Sequence, residues 1–149
     1  MTQVLSQHQG HRLIWFGVLL FLFGLLTGFG INAMASPRIG LSSHLEGVLN
    51  GMLLMVLGLI WPKMVLSQTL LKTGFGLALF GTYTNWGTTL LAAIWGAGLT
   101  FMPLSAGNAA GTAFQEAVIM TGLISLSIAM VLLSLILLWG LRSCISQNG

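Results

Sequence analysis

The sequence contains no aspartate and only two glutamates, Glu46 and Glu116, against five lysines and arginines. Charged residues make up 5% of its 149 positions. A soluble domain carries roughly a quarter charged residues, so this chain has too few polar groups to cover a water-facing surface. The missing aspartate excludes a Ser–His–Asp arrangement. A single cysteine, Cys144, excludes an intramolecular disulfide, a zinc site built on a cysteine pair and a cysteine-ligated iron–sulfur cluster within one chain. It reads as a free thiol just past the last hydrophobic run. No glycine-rich phosphate loop follows a strand-like segment.

What the chain has instead is apolar length. Hydrophobic residues are 56% of the sequence, gathered into four runs over approximately 13–33, 44–61, 70–95 and 114–141. A helix crosses the hydrocarbon core with about 20 mostly apolar residues. The expected fold class is therefore all-α: an integral membrane four-helix transmembrane bundle, a single domain over residues 1–149. The first run is too long for the core of a cleaved signal peptide, and the small residues at Asn32 to Ser36 match the cleavage pattern poorly. Residues 1–12 are polar and are expected to be loosely ordered. Ser36-Pro37-Arg38 ends the first helix and residues 38–43 form a short loop. Ser42 or Ser43 then caps the second helix, with Glu46 in its first turn beside the positive dipole end. Trp61-Pro62-Lys63 closes it with an interfacial tryptophan, a helix breaker and a cationic anchor. The uncharged loop 100–112, rich in Gly, Ala and Ser, is expected to fold partly back into the membrane.

Charge placement gives the orientation. With four spans, the two ends and the middle loop share a side, which holds Arg12, Lys63, Lys72 and Arg142 against Arg38 alone on the other. Basic residues accumulate on the cytoplasmic side, so both termini are expected there, in a multi-pass protein of a bacterial-type inner (cytoplasmic) membrane. The net charge of +3 reports orientation and calls for no nucleic-acid partner.

Polar groups inside a bilayer are costly, and each is a candidate for function. His44, Gly47 and Gly51 fall on one stripe of the second helix, and Gly47-x-x-x-Gly51 lets another helix or a flat ligand approach the backbone. Glu46 and Asn50 share the neighbouring stripe, one turn apart. In the third helix Gly81, Asn85, Thr88 and Ala92 line up, flanked by Thr82 and Thr89. A site between these two helices would hold a histidine, a carboxyl, two amides and several hydroxyls in apolar walls, suited to a small aromatic substrate that partitions into lipid. The same residues have plainer readings. His44 reads as an interfacial histidine or, with a porphyrin supplying four nitrogens, as one axial ligand of haem. Asn50 and Asn85 read as interhelical hydrogen-bond partners, Glu46 as a partner of Arg38, and the tryptophans and Tyr83 as aromatic belts.

The run Ser36-Pro37-Arg38-Ile39-Gly40-Leu41-Ser42-Ser43-His44-Leu45-Glu46-Gly47-Val48-Leu49-Asn50-Gly51, ending at Trp61-Pro62, resembles the hydroxylaminobenzene mutase family. Phe21-Leu22-Phe23-Gly24-Leu25-Leu26-Thr27-Gly28 and Gly81-Thr82-Tyr83-Thr84-Asn85-Trp86 resemble it too. That family rearranges N-aryl hydroxylamines to aminophenols without net redox change. A more distant likeness is to styrene oxide isomerase, a membrane trimer that opens an aryl epoxide to an aldehyde with ferric haem b as Lewis acid. It has a histidine where His44 stands and asparagines where Asn50 and Asn85 stand. The sequence departs from it at Thr89, where the epoxide isomerase has a tyrosine, and at Leu45-Glu46-Gly47, where it has Ser-Gly-Pro.

The resemblance thus implies an isomerase acting on hydroxylaminobenzene, with His44 as the axial ligand of haem b and Arg38, Gly47 and Gly51 at the cofactor. It also implies that Asn50 and Asn85 orient substrate and that two further copies join the chain in the lipid, while the residue types themselves offer Glu46 or Tyr83 to move protons. The alternatives are an aryl epoxide isomerase, a small-solute transporter with the Asn85–Thr88 stripe as its path, and a haem-binding protein without turnover.

Overall fold

The structure is a computed structural model and describes residues 2–100, 102–106 and 110–146. The thiol of Cys144, and Phe101 and residues 107–109 of the uncharged loop, lie outside them. Helix α1 runs Thr2–Gly30, α2 Pro37–Ile60, α3 Gln68–Trp95, α4 Pro103–Ala106 and α5 Ala113–Ser146, with 3-10 turns at Ile31–Ala33 and Trp61–Lys63. No strand occurs among the described residues. Three segments, Thr2–Ala33, Pro37–Lys63 and Ala113–Arg142, are long and apolar enough to cross a membrane. The third expected span has its helix in α3, 28 residues long. Its central threonines and Asn85 dilute its hydropathy, so it does not join the other three on composition.

Helix starts follow local chemistry. Ser36 is extended, at φ −125°, and Pro37 takes the first helical position, where its missing N–H costs nothing. Residues 38–43 are therefore the first turns of α2 rather than a loop. Neither Ser42 nor Ser43 caps it, and Glu46 lies in its third turn, beyond the reach of the dipole end. Ser67 caps α3 by accepting from the Leu70 N–H at 3.3 Å, and Gly96, left-handed at φ 64°, ends it.

Residues 2–12 are helical, contrary to expectation, because they pack. α1 and α2 run antiparallel along a seam of facing glycines: Gly10 on Gly58, Gly17 on Gly51, Gly24 on Gly47. A Cβ on any of the six would stand 2.5–2.7 Å from backbone of the opposite helix. The seam reaches back to Gly10, and there Gln9 accepts from Trp61 Nε1 at 3.1 Å. Trp61 is thus a wholly buried core residue, not an interfacial anchor. It joins Leu13, Leu20, Leu54, Leu57 and Leu71 in the larger core cluster. A smaller one, Ile39, Ala92, Ala93, Ala97 and Ile119, closes the other end. α3 lies across both seam helices, while α5 packs mainly on α3 and on the linker before it.

At that second end Glu116 organises the loop. Its carboxylate accepts from the backbone N–H groups of Gly98, Leu99, Thr100 and Gly111, at 2.7–3.3 Å. Gly98 sits at φ 116°, a conformation side chains disfavour. Replacing Glu116 with leucine strands four donors, each worth about 1 kcal/mol. Hydrogen exchange at these amides is expected to accelerate while the seam helices stay protected, which mass spectrometry of the variant would check.

Candidate functional site

α2 has three faces at the level of Glu46. One packs on α1, one on α3, and the third, carrying Leu41, Leu45, Leu49 and Met52, is exposed. Residues two apart on a helix are separated by about 200°, so His44 and Glu46 take different sides.

The Glu46 side faces α3. Oε2 of Glu46 accepts from Nδ2 of Asn50, one turn on, at 3.2 Å. The same oxygen accepts from Nδ2 of Asn85 across the helix interface. Of the histidine, carboxyl and two amides expected together between α2 and α3, the fold brings together the carboxyl and the amides, while His44 turns to α1. Glu46 does not pair with Arg38, which is exposed in the first turn of α2.

The His44 side faces α1. Nδ1 of the half-buried ring lies 2.8 Å from the Gly24 carbonyl oxygen. A carbonyl only accepts, so Nδ1 carries the hydrogen, and in the neutral imidazole Nε2 is then the nitrogen with the lone pair. This is the tautomer and anchoring seen at metal-bound histidines, whose other ring nitrogen donates to a carbonyl or carboxylate. Gly28 makes room for the ring, since a Cβ there would come 2.9 Å from Nδ1. The stripe that begins at His44 continues through Gly47 and Gly51. Of the two approaches such a stripe allows, helix or flat ligand, α1 takes the place over both glycines within the protomer.

Trp86 joins the two sides. Its indole stacks on Phe23 of α1, centroids 5.3 Å apart and planes at 21°. Nε1 donates to Thr27 Oγ1 at 3.1 Å, and its carbonyl accepts from Ser43 at 3.3 Å. It is a junction residue of three helices, not a member of an aromatic belt. Gly24, Thr27 and Phe23 acquire roles here that spacing alone did not assign. The signal was the small residue at Gly47, over which the Trp86 ring edge lies: a Cβ there would stand 2.9 Å from Cδ1.

Other candidates fall outside the cluster. The Tyr83 hydroxyl donates to the Phe16 carbonyl at 2.9 Å. Of the polar stripe on α3, Asn85 hydrogen-bonds to α2 and Ala92 packs near Ile39 of the same helix. Thr88 is buried against Gly122 and Gly81 against Met130, both on α5. Thr82 and Thr89 donate to carbonyls of their own helix. At Gly81 and Thr88 the stripe is covered by α5.

Residues 9–142 match the sequence family described as styrene oxide isomerase. The chain belongs to that family. Among the relatives of this family member, the hydroxylaminobenzene mutase HabB of Ectopseudomonas oleovorans is 57% identical over 138 residues, 93% of this chain and 84% of that protein. The hydroxylaminobenzene mutase HabA of the same organism is 42% identical over 125 residues, 84% of this chain and 93% of that one. No solved structure matches the chain. Both resemblances carried by the sequence motifs are thus found, and both names are those of isomerases; as a member of the styrene oxide isomerase family, the chain is an isomerase.

Proposed function

We propose that the protein is a membrane-embedded isomerase that converts N-aryl hydroxylamines, hydroxylaminobenzene first among them, to aminophenols. The names of its two relatives support the reaction class. The observation that brings it down to residues is the single Glu46 oxygen shared by Asn50 and Asn85. In the rearrangement the N–O bond breaks and a C–O bond forms on the ring. The ring carbon gives up a proton, nitrogen takes one, and no electrons leave the substrate. Asn50 and Asn85 hold the hydroxylamine by hydrogen bonds in an apolar surround. Oε1 of Glu46 accepts no hydrogen bond from the described residues and moves the proton. Tyr83 is engaged with Phe16, which leaves that role to Glu46. Delivery of the hydroxyl within the site places it ortho to nitrogen.

The proposed cofactor is ferric haem b. Its ligand would be Nε2 of His44, whose anchored Nδ1 suits a metal ligand, and Arg38, less than two turns away on α2, would meet a propionate. When bound, the haem supplies a Lewis-acid iron that weakens the N–O bond without changing valence. The surroundings proposed are four transmembrane helices, α1, α2, α3 and α5, in a bacterial inner membrane with both termini cytoplasmic. The exposed leucine face of α2 and the exposed Trp15, Val18 and Leu22 of α1 support contact with lipid or with another copy. A homotrimer fits one more observation. His44 and the Glu46 cluster take different sides of α2, and neighbouring copies are the means to set the histidine of one beside the amides of the next.

The test is product analysis. Protein purified in detergent and given hydroxylaminobenzene is expected to yield aminophenol, chiefly the ortho isomer, separated by chromatography from starting material. Absence of aminophenol, with aldehyde formed from styrene oxide in a parallel incubation, would overturn the hydroxylamine reading in favour of epoxide opening.

A further inference from the structure

We infer that Glu46 sets the substrate class by fixing which way the two asparagine amides face, so that the site selects molecules with N–H and O–H donors over those with acceptors alone. The inference rests on the proposed reading of this cluster as the place where the hydroxylamine binds.

An asparagine amide has two unlike ends, an acceptor oxygen and a donor nitrogen. Free to turn, it suits either kind of ligand. Here both amides turn Nδ2 towards one atom, Oε2 of Glu46. This holds whether or not the carboxyl is protonated. An ionised oxygen accepts both N–H groups, and in the acid the proton sits on Oε1 and leaves Oε2 a carbonyl oxygen. Because Nδ2 is committed, Oδ1 of each asparagine points away from Glu46. Neither Oδ1 meets a donor among the described residues, and neither is a sealed, unpaired atom. Each asparagine therefore presents an acceptor beside the remaining N–H of its own amide.

A hydroxylamine carries the complement: an N–H, an O–H and an oxygen lone pair on adjacent atoms. A ligand with acceptors only can take the spare N–H groups but leaves both Oδ1 atoms unpaired. Unpaired acceptors in a desolvated site cost far more than paired ones gain. Glu46 touches no reacting atom in this role. It acts through Asn50 and Asn85 and is a positioning residue, whatever proton it also carries through Oε1.

Phenylhydroxylamine and nitrosobenzene share a ring and an N–O skeleton and differ by two hydrogens, one on each heteroatom. Wild type, Glu46→Gln and Glu46→Ala would be compared by KM and kcat for the hydroxylamine and by competitive inhibition with nitrosobenzene. Wild type is expected to prefer the hydroxylamine by about tenfold to a hundredfold, the scale of one or two unpaired acceptors. In Glu46→Gln the side-chain carbonyl oxygen takes the place of Oε2. KM and the preference are expected to survive while kcat falls. In Glu46→Ala both amides are released, KM rises about tenfold and the preference collapses.

Equal affinities in wild type, a preserved preference in Glu46→Ala, or its loss in Glu46→Gln would each overturn the inference. If Glu46→Ala does not purify as a folded protein, the wild-type and Glu46→Gln ratios decide. If wild type turns over no hydroxylamine, the reaction reading falls separately. The two affinities are then read from quenching of tryptophan fluorescence, and the same ratios support or overturn the inference.

Discussion

If the proposed haem and reaction hold, replacing His44 with alanine is expected to bring hydroxylamine rearrangement down to the uncatalysed rate and to remove the Soret band that the haem would give. The ring is held at Nδ1 by the Gly24 carbonyl, which leaves Nε2 as the nitrogen for a metal. The two other histidines, His8 and His11, lie near the start of α1, at the opposite end of the glycine seam from Gly24. Even partners that merely orient a metal ligand act on the scale of about 10- to 100-fold, and loss of the ligand itself is expected to exceed that. The lost hydrogen bond to Gly24 costs about 1 kcal/mol of stability, too little to unfold the seam. Circular dichroism of the variant should therefore match wild type, and added imidazole should restore part of the band and of the rate. A colourless wild type that still turns over would remove haem from the mechanism and leave Glu46 and the asparagines to act alone.

The second large effect belongs to the glycine seam. Gly47→Ala places a methyl 2.5 Å from the Gly24 Cα and 2.9 Å from the Trp86 ring. Backbone cannot fold aside as a flexible side chain can, so α1 must move off α2. Overpacking of this kind costs about 1–3 kcal/mol, and the displacement carries the Gly24 carbonyl away from His44. A lowered melting temperature is expected together with a loss of activity larger than the stability change explains. Gly76→Ala is the control. Nothing stands within 4 Å of the added methyl, and alanine in a helix gains about 0.5–1 kcal/mol over glycine. Thermal denaturation of both variants followed by circular dichroism should move in opposite directions.

Helix count and most breaks were legible because apolar runs, prolines and capping serines act over a few residues. The apolar run over 70–95 lies within the helix Gln68–Trp95, although α3 is not among the three segments apolar enough to cross a membrane. The meeting of Glu46, Asn50 and Asn85 was also legible, since helical spacing puts two of them a turn apart and the third was a polar residue that had to face inwards. Most of what escaped was set by long-range contact. Polar residues 1–12 read as loose because Gln9 has no local partner; it has Trp61, 52 positions away. Trp61 and Trp86 read as belt residues because an indole N–H in a membrane protein is commonly met by water or headgroups. Here Gln9 and Thr27 meet them. The start of α2 was misplaced because two serines before His44 resemble a cap, whereas Pro37 had already begun the helix. Thr88 and Gly81 kept their stripe but met α5 rather than a ligand.

The anchor of His44 is made entirely within the first two helices. Everything that fixes the protonated nitrogen of the ring, from the bare Cα of Gly28 to the carbonyl of Gly24, precedes Ile60 in the chain. A ribosome need deliver no more than that hairpin for the imidazole to find its tautomer. The asparagine pair is different, waiting on α3 for its second member. The two halves of the proposed chemistry are therefore completed at different points of synthesis, with the ligand nitrogen ready first.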